Sequence, residues 1–284
     1  MSRPDPAMLH CLRVDRGAIE EGVGHADAIP RARLAFLARG ARLGGVGAPL
    51  ATFWVVVRGS ARVHAREGRF ELRAGEWIAF ERDAQPALAA DRRSLVLGLL
   101  LPVVPGPEPG AFQPGRGRLG RGTLRAALRL WRTLAGGVPS VGAELPALLA
   151  FVGAVQAPFE ALVARCPGRS LRRKRQLFAR LQRARLHLDG HAGQPMRLAE
   201  LAALCNVSIW HFTKTFHAVY GEGPREVIAR LRLEQASALL QATSLPVGEV
   251  GAACGFENPC SFSRAFRAHY GTTASRYRAA CRAA

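Results

Sequence analysis

Two similar stretches near the C-terminus decide the fold: Leu198–Cys205, with the sequence LAELAALC, and Val247–Cys254, with the sequence VGEVGAAC. They lie 49 residues apart and agree in residue type at most positions. Each is followed by two phenylalanines four residues apart and then by Tyr-Gly, which are Phe212, Phe216 and Tyr220-Gly221 in the first copy and Phe262, Phe266 and Tyr270-Gly271 in the second. A repeat of this kind indicates one structural unit that occurs twice.

Each copy has the local features of a helix-turn-helix. Small residues, Ala202 and Gly251, stand where the two helices must approach each other closely. Asn206 and Gly255 follow the first helix and adopt a positive φ at little cost, as a tight turn requires. The sequence therefore predicts two helix-turn-helix motifs. The alternative is an ordinary helical hairpin with solvated charges.

The second helix of each copy has a defined start and a defined buried side. Ser208 is the predicted N-cap of the first, and Asn258 caps the second, with Pro259 at its first position. Because the phenylalanines mark the buried side, the other side chains face outward, where Trp, Lys and Arg suit the DNA major groove. The predicted DNA-binding residues are Ser208, Ile209, Trp210, Thr213, Lys214 and His217 in the first copy and Pro259, Cys260, Ser263, Arg264 and Arg267 in the second.

The stretch between the two copies predicts a single helix. Residues 225–242 have apolar side chains at helical spacing. A helix of about 18 residues spans roughly 27 Å. The two outward-facing helices can therefore lie about one duplex turn apart on one face of DNA.

Residues 181–284 resemble the two-motif DNA-binding domain of the AraC/XylS family of bacterial transcription regulators. The resemblance is carried by Ser208-Ile209-Trp210-His211-Phe212, Phe216, Gly221, Pro224, Arg232-Leu233-Glu234-Gln235-Ala236, Gly255-Phe256, Phe262-Ser263-Arg264-Ala265-Phe266, Tyr270-Gly271 and Tyr277-Arg278. Two positions depart from the family pattern. Ala274 stands where proline is common, and Pro259-Cys260 replaces longer polar residues, which predicts weaker base recognition by the second helix.

The resemblance implies a fold class and a set of partners. The expected fold is α+β, with an N-terminal cupin-like β-barrel and dimerising helices, then an all-α domain of two helix-turn-helix motifs joined by a long helix. The expected domains are a sensing domain at 1–122, a dimerisation segment and linker at 123–170, and the DNA-binding domain at 171–284. The expected protein is an activator without a cofactor, whose partners are double-stranded promoter DNA, a second copy of the chain, RNA polymerase and a small-molecule effector.

The N-terminal half predicts short strands followed by helices. Runs of Val, Phe and Trp, alternating apolar and polar residues, and glycine turns are typical of a β-sandwich or small barrel. The predicted elements are strands at 51–57, 60–66, 69–73, 77–80 and 94–101, a loop at 105–122, and helices at 123–134, at 144–164 with a break near Pro158, and at 176–188.

The charge balance points to a polyanionic partner. Basic residues outnumber acidic ones by 40 to 21, for a net charge of +19, which suits nucleic acid or an anionic membrane face. Residues 171–284 alone carry 17 basic and 7 acidic side chains. Residues 1–10 lack the pattern of a secretory signal, no apolar run is long enough to span a bilayer, and the six cysteines are scattered. We therefore expect a cytoplasmic protein that does not bind membranes.

The N-terminal half offers one polar cluster as a candidate effector site. Arg62, His64 and Arg66 alternate with apolar residues on the predicted strand 60–66. They lie on a solvated face or, if that face lines the barrel, form a pocket for an anionic effector. His64 has neither a second histidine nor a carboxylate at ligand spacing, so no metal is expected. Cys205 and Cys254 hold equivalent places in the repeat and are expected to pack in the core.

One helical segment carries more apolar residues than a small barrel obviously needs. They recur at helical spacing in residues 144–164, and we expect this helix to pair with its copy in a second chain: Leu145, Leu148, Leu149, Val152, Val155, Phe159 and Leu162. Two classes of function remain: a DNA-binding regulator with a sensing domain, or a cupin-type enzyme with an accessory DNA-binding tail. The missing His/Glu cluster favours the regulator.

Overall fold

The computed structural model describes residues 10–19, 32–45, 50–102, 112–136, 144–191, 194 and 196–283. Two predictions concern residues outside this described part. The expected absence of a signal segment depends on residues 1–9, and part of the predicted loop depends on residues 105–111. The chain divides into two compact units, Met1–Leu186 and His187–Ala284, called the N-terminal unit and the C-terminal unit below. Strands in the first and helices in both make the protein α+β.

Eleven strands are present in the described part of the N-terminal unit. They are β1 His10–Val14, β2 Ala18–Ile19, β3 Arg33–Ala38, β4 Arg42–Leu43, β5 Leu50–Arg58, β6 Ser60–Ala65, β7 Gly68–Arg73, β8 Glu76–Phe80, β9 Ala87–Ala90, β10 Leu95–Pro102 and β11 Gly115–Arg118. A six-stranded sheet has the order β1-β3-β10-β5-β8-β11, and a five-stranded sheet has the order β2-β4-β9-β6-β7. Neighbouring strands are antiparallel except for the pairs β1–β3 and β2–β4.

An apolar core fills the space between the two sheets. Alternate residues of β5 point to opposite sides of the six-stranded sheet, so Trp54 lies in this core while Phe53 lies on the other side. Phe70 and Leu88 supply the core from the five-stranded sheet. The strands that the structure describes do not close the two sheets into one barrel. The α+β class is therefore confirmed, and the cupin-like barrel is not.

Helices cover the outer side of the six-stranded sheet and form a second apolar core with it. The helices of this part of the chain are α1 Arg121–Ala135, α2 Glu144–Gln156, α3 Pro158–Arg165 and α4 Leu171–Gly190. The Trp131 Nε1–H of α1 donates to the Gly98 carbonyl at 3.0 Å. Phe159 of α3 contacts Trp77 and Phe178, with ring centroids 5.8 and 5.4 Å apart. The break predicted near Pro158 is confirmed, since α3 begins at that residue.

The apolar side of α2 packs on the sheet rather than on a second chain. Leu148 and Val152 are buried in the core with Phe53 and Trp131. Leu145 is the one large apolar residue of α2 and α3 that is more than a third exposed among those described. The expected dimer seam is therefore wrong for the side that bears Val152, because the sheet already covers it.

No single described helix has the length and apolar composition to cross a bilayer, although α2 and α3, bent by 63°, meet that test as a pair.

The glycines of β11 explain why the sequence predicted a loop there. A Cβ at Gly117 would lie 2.8 Å from the Trp77 ring, and one at Gly115 would lie 2.9 Å from the Phe159 ring. The strand can therefore pair with β8 beneath these rings only if it lacks side chains at both positions. The prediction of a loop over residues 105–122 is wrong for Gly115–Arg118.

Six helices make up the described remainder of the C-terminal unit. They are α5 Leu198–Leu204, α6 Ile209–Tyr220, α7 Pro224–Ala242, α8 Val247–Ala253, α9 Pro259–Tyr270 and α10 Ala274–Ala283. The first five agree with the helices predicted from the repeat and from the stretch between its copies.

Gly98 of β10 tests how tightly the N-terminal unit is packed. A Cβ there would lie 2.2 Å from the ring of Trp54, which is fully buried and cannot move aside. We expect Gly98→Ala to lower the free energy of unfolding of this unit by about 2–4 kcal/mol. Urea unfolding followed by tryptophan fluorescence measures the change.

Gly153 of α2 provides the control for this substitution. A Cβ at Gly153 meets nothing within 4 Å, so Gly153→Ala should stabilise the helix by about 0.5–1 kcal/mol. Equal effects of the two substitutions would contradict the tight packing of Gly98 against Trp54.

Candidate nucleic-acid interface

The turns of the two motifs are built from the same backbone hydrogen bonds. In the first, Asn206 has a φ of 53° and donates its N–H to the carbonyl three residues before it at 2.9 Å. The Val207 N–H donates to the carbonyl five residues before it at 3.1 Å. Gly255, with a φ of 80°, and Phe256 repeat these bonds at 2.9 and 3.0 Å. Both residues that were predicted to adopt a positive φ do so.

Side-chain caps start α6 and α9 where the sequence predicts them. The Ser208 hydroxyl accepts a hydrogen bond from the His211 N–H at 3.2 Å. The Asn258 side-chain oxygen accepts from the Cys260 N–H at 2.7 Å, and Pro259 occupies the first position of α9. Each helix ends at a left-handed glycine, Gly221 or Gly271. The caps fix which residues form the exposed first turn of each helix.

Aromatic rings in tilted and edge-to-face contact form the buried side of each second helix. The centroid distances are 5.4 Å for Phe212–Phe216 and 4.5 Å for Phe216–Tyr220, against 5.5 Å for Phe262–Phe266 and 4.6 Å for Phe266–Tyr270. Cys205 and Cys254 are fully buried, as predicted, and Cys254 lies in one apolar cluster with Phe262 and Phe266. Burial raises the pKa of the Cys254 thiol, which keeps it in the unreactive protonated form.

The exposed side of α6 presents one aromatic residue and one cation as a pair. Trp210 is 70% exposed, and the Lys214 ammonium lies over its ring, 4.9 Å from the centroid. A cation over an indole face is attracted by the ring quadrupole. The Thr213 hydroxyl donates to the Ile209 carbonyl at 2.9 Å, which leaves its oxygen free only to accept. His217 is exposed one turn further along. The pairing of Trp210 with Lys214 was not predicted, although their i, i+4 spacing is a signal for it.

The exposed side of α9 is chemically different from that of α6. The five residues predicted to face outward are all exposed: Pro259, Cys260, Ser263, Arg264 and Arg267. Pro259 and Cys260, at the start of the helix, offer little hydrogen bonding to bases, whereas Arg264 supplies a charged fork of donors. The two helices therefore present unequal sets of groups to a partner.

Polar contacts hold α7, the helix between the motifs, at both ends. Near its start, Arg230 bridges Glu222 at 3.2 Å and Glu234 at 3.0 Å. At its end, Arg278 of α10 donates to the carbonyls of Leu240 at 3.3 Å and Leu245 at 2.6 Å. With 19 residues, α7 is about 28 Å long.

The candidate effector residues of the N-terminal unit lie on its surface. Arg62 and His64 are exposed on β6, and Arg66 is exposed in the turn that follows, while Ala61 and Val63 point into the core. These three side chains therefore do not line an interior pocket. Among the residues that the structure describes, no three His, Cys, Asp or Glu side chains come together as metal ligands would.

Comparison by sequence places the C-terminal unit in a family of domains. Residues 201–280 match the model of a family described as a helix-turn-helix domain. The MmsAB operon regulatory protein of Pseudomonas aeruginosa is 34% identical over 117 residues, 39% of this chain and 38% of that protein. The right origin-binding protein of Escherichia coli is 31% identical over 91 residues, 32% of each chain. The match thus spans about a third of these relatives' own length. The C-terminal unit carries an AraC-type helix-turn-helix domain.

Solved structures of DNA-binding domains are similar over about a third of the chain. The DNA-binding domain of AdpA, a global transcriptional factor solved with a target DNA, is 31% identical over 36% of this chain and 93% of its own, with a TM-score of 0.34. A regulator from Chromobacterium violaceum with an AraC-type DNA-binding domain is 29% identical over 36% of this chain and 91% of its own, with a TM-score of 0.34.

Gly251 of α8 tests the close approach of the two helices in the second motif. A Cβ there would lie 2.9 Å from the buried ring of Phe262. We expect Gly251→Ala to destabilise the C-terminal unit by about 1–3 kcal/mol. Urea unfolding followed by far-ultraviolet circular dichroism measures this. The matched control is Gly248→Ala in the same helix, where a Cβ meets nothing within 4 Å. An equally large loss of stability in Gly248→Ala would contradict the close approach of α8 and α9 at Gly251.

His187, at the end of α4, makes the stability of the C-terminal unit depend on pH. Its ring contacts that of His191 at an inclined angle, with centroids 4.1 Å apart. Burial, with the charge of His191, lowers the pKa of His187 from 6.5 to about 4, against an opposing effect of Glu200. The unfolded chain therefore takes up a proton near pH 6.5 that the folded chain resists. Because the ring is only half-buried and solvent screens its charge, the free energy of unfolding should fall by about 1–2 kcal/mol as the pH drops from 6.5 to about 4.

The His187→Gln variant isolates this contribution from other titrating groups. We expect the difference in free energy of unfolding between the wild type and the variant, measured with urea at several values of pH, to shrink as the pH falls below 6.5. A constant difference across this range would show that His187 does not carry the effect.

Proposed function

We propose that this protein is a transcription regulator that binds specific sequences of double-stranded DNA through its C-terminal unit. The observation that carries the proposal is the repetition of one helix-turn-helix, with the same turn hydrogen bonds and caps, so that α6 and α9 each expose one polar side. Such helices enter the major groove of DNA. The residues proposed to contact DNA are Ser208, Ile209, Trp210, Thr213, Lys214, His217, Pro259, Cys260, Ser263, Arg264 and Arg267.

Within this proposal, α6 reads bases more strongly than α9. The exposed indole of Trp210 provides apolar surface for a thymine methyl group, and Lys214, held over that ring, addresses a guanine edge. Because the Thr213 hydroxyl donates within the helix, it can only accept from a base, as from the amino group of adenine or cytosine. In α9, Arg264 is the main candidate for a base or phosphate contact, and Arg267 adds charge.

The N-terminal unit is proposed to regulate this binding. We take it as a cupin-like sensing domain for a small-molecule effector, in a homodimer that activates transcription with RNA polymerase in the cytoplasm. The support for this is the resemblance to AraC/XylS regulators and a separate unit with its own two cores. An effector acts in such an arrangement only by binding one state of the protein more tightly than another. The function is one of binding, and no catalytic residue is proposed.

Substitutions in the two helices test the proposed division of roles. We expect Lys214→Ala and Trp210→Ala each to relax base preference under α6, with a loss of about 1–3 kcal/mol on the preferred site. Arg264→Ala should weaken binding with a smaller change in base preference. Binding-site selection with random duplexes, followed by fluorescence anisotropy on the selected site, measures both effects.

An exposed arginine of α1 serves as the control for loss of charge alone. Arg129→Ala removes one exposed cation from the N-terminal unit and should leave base preference unchanged. A wild-type protein that selects no site would contradict the proposed function. Stronger base preference under α9 than under α6 would contradict the division of roles.

A further inference from the structure

The outer face of the five-stranded sheet carries a cluster of basic side chains whose positions the strand register defines. In one row across the sheet, Arg42 of β4 and Arg62 of β6 flank Ala89, and Glu71 of β7 lies opposite Arg62. In the rows on either side, the register adds two cross-strand pairs, His64–Arg69 and Ser60–Arg73. Neighbouring strands are about 4.8 Å apart and alternate residues of one strand about 6.8 Å apart, so these side chains form one patch. We call Arg42, Arg62, His64, Arg69 and Arg73 the basic face.

The basic face is exposed and has few internal partners. All five of its side chains are exposed. None of its arginines forms an ion pair with another residue that the structure describes. Glu71 is the only acidic residue at the outward positions of β4, β6, β7 and β9, all of which are described. Like charges packed this closely repel one another, so an anionic partner would stabilise the arrangement.

The residues between the cations favour nucleic acid over protein as that partner. Protein interfaces depend on buried aromatic and aliphatic anchors. The outward positions of β9 hold only Ala87 and Ala89, and every exposed large apolar residue in the described part of the chain lies elsewhere. Phosphate contacts need cations and little else, because they position the duplex without reading its bases.

We propose that the basic face binds the phosphate backbone of the DNA that flanks the site held by the C-terminal unit. This inference rests on the proposed function, since it is the C-terminal unit that brings the chain to DNA. Once that unit is bound, the N-terminal unit is tethered near the same duplex, so contacts that are weak alone raise the overall affinity. The N-terminal unit then contributes affinity without sequence preference, and Arg62 and His64 serve this contact rather than an effector pocket.

Two duplexes separate this proposal from the proposed function. The short duplex holds only the selected site, about 20 bp for two half-sites one turn apart. The long duplex adds about 20 bp of arbitrary sequence on each side. The full-length wild type should bind the long duplex about tenfold more tightly at low salt. Its affinity should also fall more steeply with salt, by about 0.9 in the logarithmic slope for each flanking phosphate that it contacts.

Three variants of the full chain assign the effect to the basic face. The Arg62→Gln/Arg69→Gln/Arg73→Gln variant should lose the preference for the long duplex and keep its affinity for the short one. Glu71→Gln removes the one acidic residue and should increase the preference. The control variant, Arg125→Gln/Arg129→Gln/Arg132→Gln, removes the same charge from exposed positions of α1, on the opposite layer of the N-terminal unit, and should behave as the wild type.

The outcomes are distinct. No binding to the short duplex would defeat the proposed function itself. Equal affinity of the wild type for both duplexes, or equal loss in both triple variants, would overturn the flanking contact while leaving sequence-specific binding intact. Equal affinity of the wild type for the two duplexes would point to an acidic protein as the partner of the basic face. Circular dichroism and tryptophan fluorescence like those of the wild type show that the variants, all at exposed positions, are folded.

Discussion

The close crossing of two helices in each motif is the constraint on which the C-terminal unit depends. At Gly251 the ring of Phe262 leaves no room for a Cβ, and the equivalent Ala202 is buried to 2% exposure. With the crossing set, the turn must reverse the chain within a few residues, which the positive φ at Asn206 and Gly255 permits. The caps then begin α6 and α9 at defined residues, so the exposed side of each helix follows from what is buried behind it.

The N-terminal unit is also closely packed, because its six-stranded sheet is covered on both sides. One core separates it from the five-stranded sheet, and the other separates it from α1 and α2. Gly98 shows how little room remains, since it packs against Trp54 and accepts a hydrogen bond from Trp131 through its carbonyl. The apolar surface of α2 is used in this way, whereas the outer face of the five-stranded sheet is exposed and carries Arg42, Arg62, Arg69 and Arg73.

Local patterns predicted the C-terminal unit well because its elements are specified by neighbours in sequence. Caps, turn residues and phenylalanines four residues apart act within one or two turns of helix. The N-terminal unit was predicted less completely. The sequence patterns do not predict β1, β2, β3, β4 or β9. They predict a loop in place of β11, because its glycines are required by the distant rings of Trp77 and Phe159. The pairing of Lys214 with Trp210 was missed because it depends on rotamers that spacing permits but does not dictate.

By itself the sequence determined the repeat, its helix boundaries, its capped turns and the set of residues on the outward side of α6 and α9. Those features depend on backbone conformation and on helical periodicity, which are local. Only the tertiary structure decided that Val152 faces a sheet instead of a second chain, and that Arg62 and His64 lie on an outer face beside Arg69 and Arg73. The physical reason is that burial and strand register arise from contacts between residues far apart in the chain. An alternating or helical pattern shows that two sides of an element differ, but not what covers either side.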